Sequence, residues 1–117
     1  MQLLDIDVEE RAGWTVIAVS GQLDVATAPE MRQVLKEAQY DDQQHLIVDL
    51  AGLEFLDSFG LGVLVGGLRR ARMHGGRFVL AGPSRRIREV FAITELDRTF
   101  QLADDVAAVL AARAPQE

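Results

Sequence analysis

The hydrophobic positions of the chain follow two periods, one of two residues and one close to that of a helix. At the start, Leu4, Ile6 and Val8 alternate with acidic residues, which predicts a half-buried strand. After a turn at Gly13, the run WTVIAVSG predicts a second strand, paired with the first as a hairpin. The chain is therefore expected to begin with two antiparallel strands.

The segment LDVATAPEMRQVLKEAQ changes to the helical period. Thr27 and Glu30 fit a capping box, and Pro29 suits the first turn of a helix. One apolar stripe then faces the predicted core, made of Met31, Val34, Leu35 and Ala38. This segment predicts an amphipathic helix after the hairpin.

The middle of the chain predicts a buried strand followed by a longer helix. HLIVDL is short and mostly apolar, which is typical of a strand covered on both faces. The segment from Ser58 to about His74 predicts a helix, and the glycines at 75 and 76 suit its C-terminal end.

The last third of the chain repeats the same alternation. RFVLAG predicts a strand, and Pro83 and Ser84 open a helix with inward-facing Ile87, Val90 and Phe91. TFQL predicts a short edge strand. Asp104 is expected to cap a last helix that carries Val106, Val109 and Leu110.

This order predicts an α/β fold, with a mixed sheet of four to five strands and about four helices packed on it. The 117 residues suit one domain, expected to span 1–113 with a loose tail at 114–117. The net charge of −6 argues against nucleic acid or an anionic membrane as main partner. With no cysteine, no signal peptide and no membrane span expected, the chain is predicted to be cytoplasmic.

The stretch LEFLDSFGLGVLVGG raises the question of what Ser58 does. A nucleotide-binding G-x-G-x-x-G fails because Val65 stands at its third glycine, and a G-x-S-x-G elbow fails because Leu56 stands at its first. The spacing of His45 and His74 does not support a catalytic triad, and no metal-ligand pattern is present. We therefore predict no catalytic residue, metal or cofactor.

Two interpretations of Ser58 remain. Its hydroxyl can cap the following helix by accepting a hydrogen bond from a first-turn N–H group. Alternatively, a phosphate on Ser58 would be tolerated at a helix N-terminus and would add about −1.5 to −2 charges beside Glu54 and Asp57. Such a change of surface charge is suited to a binding switch.

Helical projection divides this helix into two sides. The core side is expected to hold Leu61, Leu64, Val65 and Leu68. The other side has few polar groups, and consists of Phe59, Gly62, Val63, Gly66 and Arg70. Either a protein partner or another helix of the chain could cover this side, and the pattern alone favours neither.

Three blocks of the sequence resemble successive blocks of the STAS-domain anti-anti-sigma factors, also called anti-sigma factor antagonists. The blocks are GQLDVATAPEMRQVL, HLIVDLAGLEFLDSFGLGVLVGGLRRAR and GGRFVLAGPSRRIREVFAITELDRTF. The resemblance runs from about Leu4 to Val109, and D-S-x-G-L-G is its most specific part.

The resemblance implies a STAS fold and a binding protein that is not an enzyme. In this family the unphosphorylated form binds an anti-sigma factor, typically also a serine kinase with a histidine-kinase-like ATPase fold. Phosphorylation of the serine matching Ser58 dissolves the complex, and a metal-dependent serine phosphatase acts transiently to restore it. The partner-binding residues are then expected to be Asp24, Thr27, Asp57, Ser58, Phe59, Gly60, Gly62, Val63 and Gly66.

The sequence departs from the family pattern at two positions. Phe59 stands where a second Ser or Thr is common, and Glu95 stands where glycine is common, which affects the turn after a helix. The expected oligomeric state is a monomer or weak dimer. Two alternatives stay open: a small-molecule-binding or transport-associated STAS domain, and a scaffold of a stress-sensing assembly.

Three other features have plain structural interpretations. Trp14 is expected to fill a pocket by the hairpin, where its indole N–H needs a partner. Two clusters, at 69–72 and 85–88, hold three arginines each. These arginines are typical of a solvated helix face, and alternatively they could attract an acidic partner electrostatically.

Overall fold

A computed structural model gives the architecture of the protein, and it describes residues 3–42 and 44–112. Five strands and four α-helices alternate within these residues. They are β1 (Leu4–Arg11), β2 (Trp14–Leu23), α1 (Ala28–Ala38), β3 (Leu46–Leu56), α2 (Ser58–Met73), β4 (Phe78–Ala81), α3 (Arg85–Ile93), β5 (Gln101–Ala103) and α4 (Val106–Ala111). The predicted order of elements is confirmed. The expected tail at 114–117 lies outside the described residues.

The strands form one mixed sheet in the order β1-β2-β3-β4-β5. β1 and β2 pair antiparallel, with Arg11 opposite Trp14 across a tight hairpin turn, while the other three pairs are parallel. Parallel neighbours require crossover connections, which α1, α2 and α3 provide. Since β3 runs on to Leu56, it is longer than the HLIVDL segment predicted, and it delivers the chain directly to α2.

Helices cover both faces of the sheet, as the apolar run in β3 predicted. Met31 of α1, Leu64 of α2 and Phe91 of α3 belong to one large core on the first face. On the opposite face α4 packs through Val109 over a smaller cluster. Trp14 is fully buried in that smaller cluster, as expected, and the Arg77 guanidinium lies 4.9 Å from its ring centre. Its indole N–H has no hydrogen-bond partner among the described residues.

Two of the predicted helix caps are wrong, one in its side-chain hydrogen bond and the other by one position. The Thr27 side chain does not cap α1, because its backbone is already helical, with φ −104° and ψ −12°, and its hydroxyl points back to the preceding loop. Asp105, not Asp104, caps α4: its extended backbone lets the carboxylate accept from the N–H of Ala108 at 2.7 Å. The helix predicted to open at Pro83 and Ser84 does begin there, and the Ser84 hydroxyl caps α3 by accepting from the N–H of Ile87.

The turn after α3 keeps a left-handed residue although it has no glycine. Glu95 has φ 62° and ψ 16°, a conformation that glycine adopts more easily than any residue with a Cβ. Glu95 therefore holds the turn with a local strain of about 1 kcal/mol.

Candidate functional site

The candidate site lies where β2 and β3 end side by side and α1 and α2 begin. In the parallel register Leu23 pairs with Leu56, so the loop after β2 and the start of α2 leave the same edge of the sheet. Asp57 joins the two segments. Its Oδ1 accepts from the N–H of Gly60 at 3.0 Å, and its Oδ2 accepts from the N–H of Val25 at 3.1 Å.

Asp57 is the N-cap of α2, so the interpretation of Ser58 as the cap is wrong. Asp57 has the extended backbone of a cap, with φ −110° and ψ −174°, whereas Ser58 is the first helical residue. The Ser58 side chain is exposed, and its hydroxyl makes no hydrogen bond within residues 3–42 and 44–112. The site therefore presents a serine hydroxyl that the fold does not use.

Asp24 and Thr27 shape the loop that Asp57 holds. Asp24 Oδ1 accepts from the N–H groups of Ala26 at 3.0 Å and Thr27 at 3.2 Å. The Thr27 hydroxyl accepts from the Asp24 N–H at 3.0 Å and donates to the carbonyl oxygen of Gln22 at 2.9 Å. These reciprocal bonds fix the loop and bury Thr27, which makes Thr27 a residue that positions the site from beneath its surface.

Three exposed apolar side chains, here called the apolar rim, lie on the segments that meet at the start of α2. Phe59 is 58% exposed, Val25 is 57% exposed, and Phe55 at the end of β3 is 48% exposed. Phe59 was predicted to lie on the outer side, and this is confirmed. Val25 and Phe55 were missed, because a single apolar residue in a loop or at a strand end gives no periodic signal.

The predicted outer side of α2 is covered only in part. Val63 was expected there, but it is 2% exposed and belongs to the large core, to which α1 contributes while packing beside α2. Gly62 is exposed and Gly66 is half-buried, whereas Gly60 is buried. The sequence left open whether this side of α2 is covered by the chain itself or by a partner. The chain itself buries Val63, whereas the positions near Phe59 stay exposed.

The glycines of α2 divide in the same way. A Cβ on Gly60 would lie 2.7 Å from the carbonyl oxygen of Leu23, and one on Gly67 would lie 2.8 Å from the Phe78 ring. Both distances are too short for a side chain. A Cβ on Gly62 would meet no atom within 4 Å, and one on Gly66 would meet only the Arg70 side chain, at 3.4 Å. Packing thus requires Gly60 and Gly67 but not Gly62 and Gly66.

The geometry offers Ser58 no histidine as a general base. His74 follows α2, so it lies about 24 Å from Ser58 at about 1.5 Å per helical residue. His45 precedes β3 and Ser58 follows it, which places them at opposite ends of a strand of 11 residues. Across the described part of the chain, no three acidic, histidine or cysteine side chains are grouped as metal ligands, and no helix is long and apolar enough to cross a membrane.

A sequence model of the STAS domain family matches residues 5–109. The chain is a STAS domain. An anti-sigma-B factor antagonist of Staphylococcus aureus is 33% identical to this STAS domain over 93 residues, which are 80% of this chain and 86% of that protein.

Solved structures give the same result. An anti-sigma factor antagonist from Mycobacterium paratuberculosis has a TM-score of 0.84 to this STAS domain and is 31% identical, over 93% of this chain and 92% of that one. The Bacillus cell fate determinant SpoIIAA in its phosphorylated form has a TM-score of 0.71 to this STAS domain and is 26% identical. The match covers 93% of this chain and 100% of that one. The predicted fold and family are therefore confirmed.

Proposed function

We propose that this protein is an anti-sigma factor antagonist whose binding is switched by phosphorylation of Ser58. The unphosphorylated form binds an anti-sigma factor that is also a serine kinase, and thereby frees a sigma factor. A serine phosphatase reverses the modification. The binding role is supported by the relatives named as antagonists of anti-sigma factors. The switch is carried by one observation, the exposed and unbonded hydroxyl of Ser58.

Phosphorylation requires an accessible hydroxyl, which Ser58 provides. Transfer of the γ-phosphoryl group of ATP forms a bond from phosphorus to Ser58 Oγ, and releases ADP and a proton. The kinase supplies the catalytic groups, so the substrate protein must provide an accessible hydroxyl in a defined position. Asp57 fixes that position, because its cap and its bond to Val25 hold the first turn of α2.

A phosphate on Ser58 would change the surface while leaving the core intact. It would add about −1.5 to −2 charges to a surface that already carries Asp24, Glu54 and Asp57. The first turn of a helix stabilises negative charge through its free N–H groups and its dipole. Because Ser58 is exposed, no buried contact has to be broken.

The apolar rim explains why such a charge would end binding. Val25, Phe55 and Phe59 would bury their exposed surface against a partner, and a phosphate on Ser58 would have to lose its hydration in the same interface. A thousandfold loss of affinity corresponds to about 4 kcal/mol. Desolvation of one phosphate next to three carboxylates is large enough to supply it.

The test uses the anti-sigma factor kinase, ATP and the purified chain, followed by peptide mass spectrometry. We expect phosphate on Ser58, and about a thousandfold weaker binding for Ser58→Asp, whereas Ser58→Ala should bind and resist modification. Ser84 is the matched control, because it also stands at a helix N-terminus but its hydroxyl is engaged as a cap. Modification of another residue with Ser58 unchanged would overturn the site, and tight binding by Ser58→Asp would overturn the switch.

A further inference from the structure

Arg70 stands at the far end of the outer side of α2. Phe59, Gly66 and Arg70 recur at spacings of seven and four, so they share one side of the helix. Ser58 and Arg70 are twelve positions apart, which is about 18 Å along the helix axis at about 1.5 Å per residue. A partner that covers Ser58 and Gly66 would therefore reach Arg70.

The Arg70 guanidinium is held in place by the neighbouring helix. Its Nε donates to Oε1 of Gln39 at 3.0 Å, and Nε2 of Gln39 donates to the carbonyl oxygen of Gly67 at 2.8 Å. Gln39 is only 8% exposed. This buried amide joins α1 to α2 and fixes the plane of the guanidinium, so little side-chain freedom remains to be lost on binding.

Most of the hydrogen-bonding capacity of Arg70 is unused. A guanidinium has five N–H donors, and the bond to Gln39 is the single hydrogen bond it makes within residues 3–42 and 44–112. Its Nη2 is buried without a partner, while its Nη1 lies beside Gly66. Because Gly66 has no side chain, the approach to Nη1 along the helix surface is open.

Positive charges gather here on an otherwise acidic protein. Arg32 and Lys36 are exposed and lie on the side of α1 that holds Gln39, since the three recur at spacings of four and three. In the described part of the chain, none of the ion pairs includes Arg32, Lys36 or Arg70. Burial, and after it the positive charge of Arg32, lower the pKa of Arg70 below its usual value. The guanidinium nevertheless stays charged, because arginine is not deprotonated in proteins.

We infer that the protein partner proposed above places an Asp or Glu carboxylate against Arg70, with Arg32 beside it, at the opposite end of the interface from Ser58. The inference rests on the proposed function, because it extends the same binding surface. Charge complementarity selects the occupant: two unpaired arginines on a chain of net charge −6 attract an acidic segment. Gly62 and Gly66 let the backbone of that segment lie close to α2.

The separation of the two ends has a consequence for regulation. About 18 Å is more than the Debye length of about 8 Å at physiological salt, so a phosphate on Ser58 and a carboxylate at Arg70 interact weakly across solvent. The Arg70 contact then adds affinity in both states of Ser58. The effects of Arg70 and Ser58 variants on the logarithm of the affinity should therefore be additive.

The experiment measures the affinity of the purified anti-sigma factor for wild type, Arg70→Met, Arg70→Lys and Arg69→Met. Arg69 is the matched control, since it is exposed and adjacent in sequence but turned about 100° around α2. We expect Arg70→Met to weaken binding about tenfold or more and to reduce its salt dependence, with a smaller loss for Arg70→Lys. Arg69→Met should change affinity less than about twofold. Thermal unfolding of each variant separates binding from folding.

A charge exchange gives a test that does not depend on the stability of one variant. Arg70→Glu should bind poorly, and replacement of one partner carboxylate by arginine should restore its affinity. Equal affinity of wild type and Arg70→Met would overturn this inference alone, whereas a wild type that does not bind would overturn the proposed function with it. A dimer of this chain that Arg70→Met dissolves would assign the surface to a second copy, and so also overturn the inference.

Discussion

The inner and outer sides of α2 use the same residue type for different reasons. Gly60 faces the end of β2 and Gly67 faces the Phe78 ring, at distances that leave no room for a Cβ. Gly62 faces open space, and a Cβ on Gly66 would meet only the Arg70 guanidinium, at 3.4 Å. Glycine in a helix interior costs about 1 kcal/mol relative to alanine. On the inner side close packing offsets that cost, and on the outer side nothing within the described chain does.

Folding alone does not account for the sequence of α2. The outer glycines lie on the side that also carries exposed Phe59 and the free hydroxyl of Ser58. A flat surface next to an exposed aromatic ring suits contact with another protein. The two sides can be separated by experiment, because changes on the inner side should affect stability and changes on the outer side should affect binding.

The largest effect is expected from Gly60→Ala. The new methyl group would lie 2.7 Å from a backbone oxygen of Leu23, which moves less easily than a side chain. We expect a loss of about 2–3 kcal/mol in the free energy of unfolding, even after the gain in helix propensity. Chemical denaturation followed by circular dichroism measures it.

Gly62→Ala is the matched control for that variant. Since its methyl group would meet no atom within 4 Å, it should stabilise the protein by about 0.5–1 kcal/mol. If both variants changed the free energy of unfolding in the same direction, the two sides of α2 would not differ in packing as described.

A smaller effect is expected where α2 begins. Asp57→Ala removes the carboxylate that accepts from Gly60 and Val25, and should lower the free energy of unfolding by about 1–2 kcal/mol. Ser58→Ala should change it by less than about 0.5 kcal/mol, because the hydroxyl has no partner to lose. If the two variants were equally destabilised, the assignment of a free hydroxyl to Ser58 would be wrong.

The order of the elements could be predicted because burial on one side of a strand or helix leaves a period in the sequence. The stripe of α1 and the apolar run of β4 are examples, and both lie in the core. The D-S-x-G-L-G motif predicted the family, which is confirmed, and Ser58 as the site remains a prediction from the same motif. Periodicity also placed Phe59 correctly on an exposed side.

The errors have a common cause, which is that local sequence does not determine the backbone angle of a cap or the position of a distant helix. Asp57 and Ser58 are both good capping residues, as are Asp104 and Asp105, and only the extended backbone of one member of each pair decides. Val63 was placed outside because helical projection contains no information about α1. For the same reason the sequence did not predict the hydrogen bond that Arg70 donates to Gln39, 31 positions away.

The smallest effect on stability is expected from Phe59→Ala. The ring is 58% exposed, so the free energy of unfolding should change by no more than about 0.5 kcal/mol. Its effect on affinity for the anti-sigma factor should instead be large, because the partner would bury an exposed aromatic side chain beside Ser58. Isothermal titration calorimetry and a melting curve on the same sample measure both quantities.

Ile93→Ala is the control for that variant, since Ile93 is a large apolar residue at the end of α3 and is 83% exposed. Its removal should change neither stability nor affinity if the interface is the outer side of α2. If the two variants weakened binding equally, a general loss of apolar surface would explain the result. The outer side of α2 would then not be assigned as the interface. A loss confined to Phe59→Ala would instead show that the side of α2 left open by the fold is the side that a partner covers.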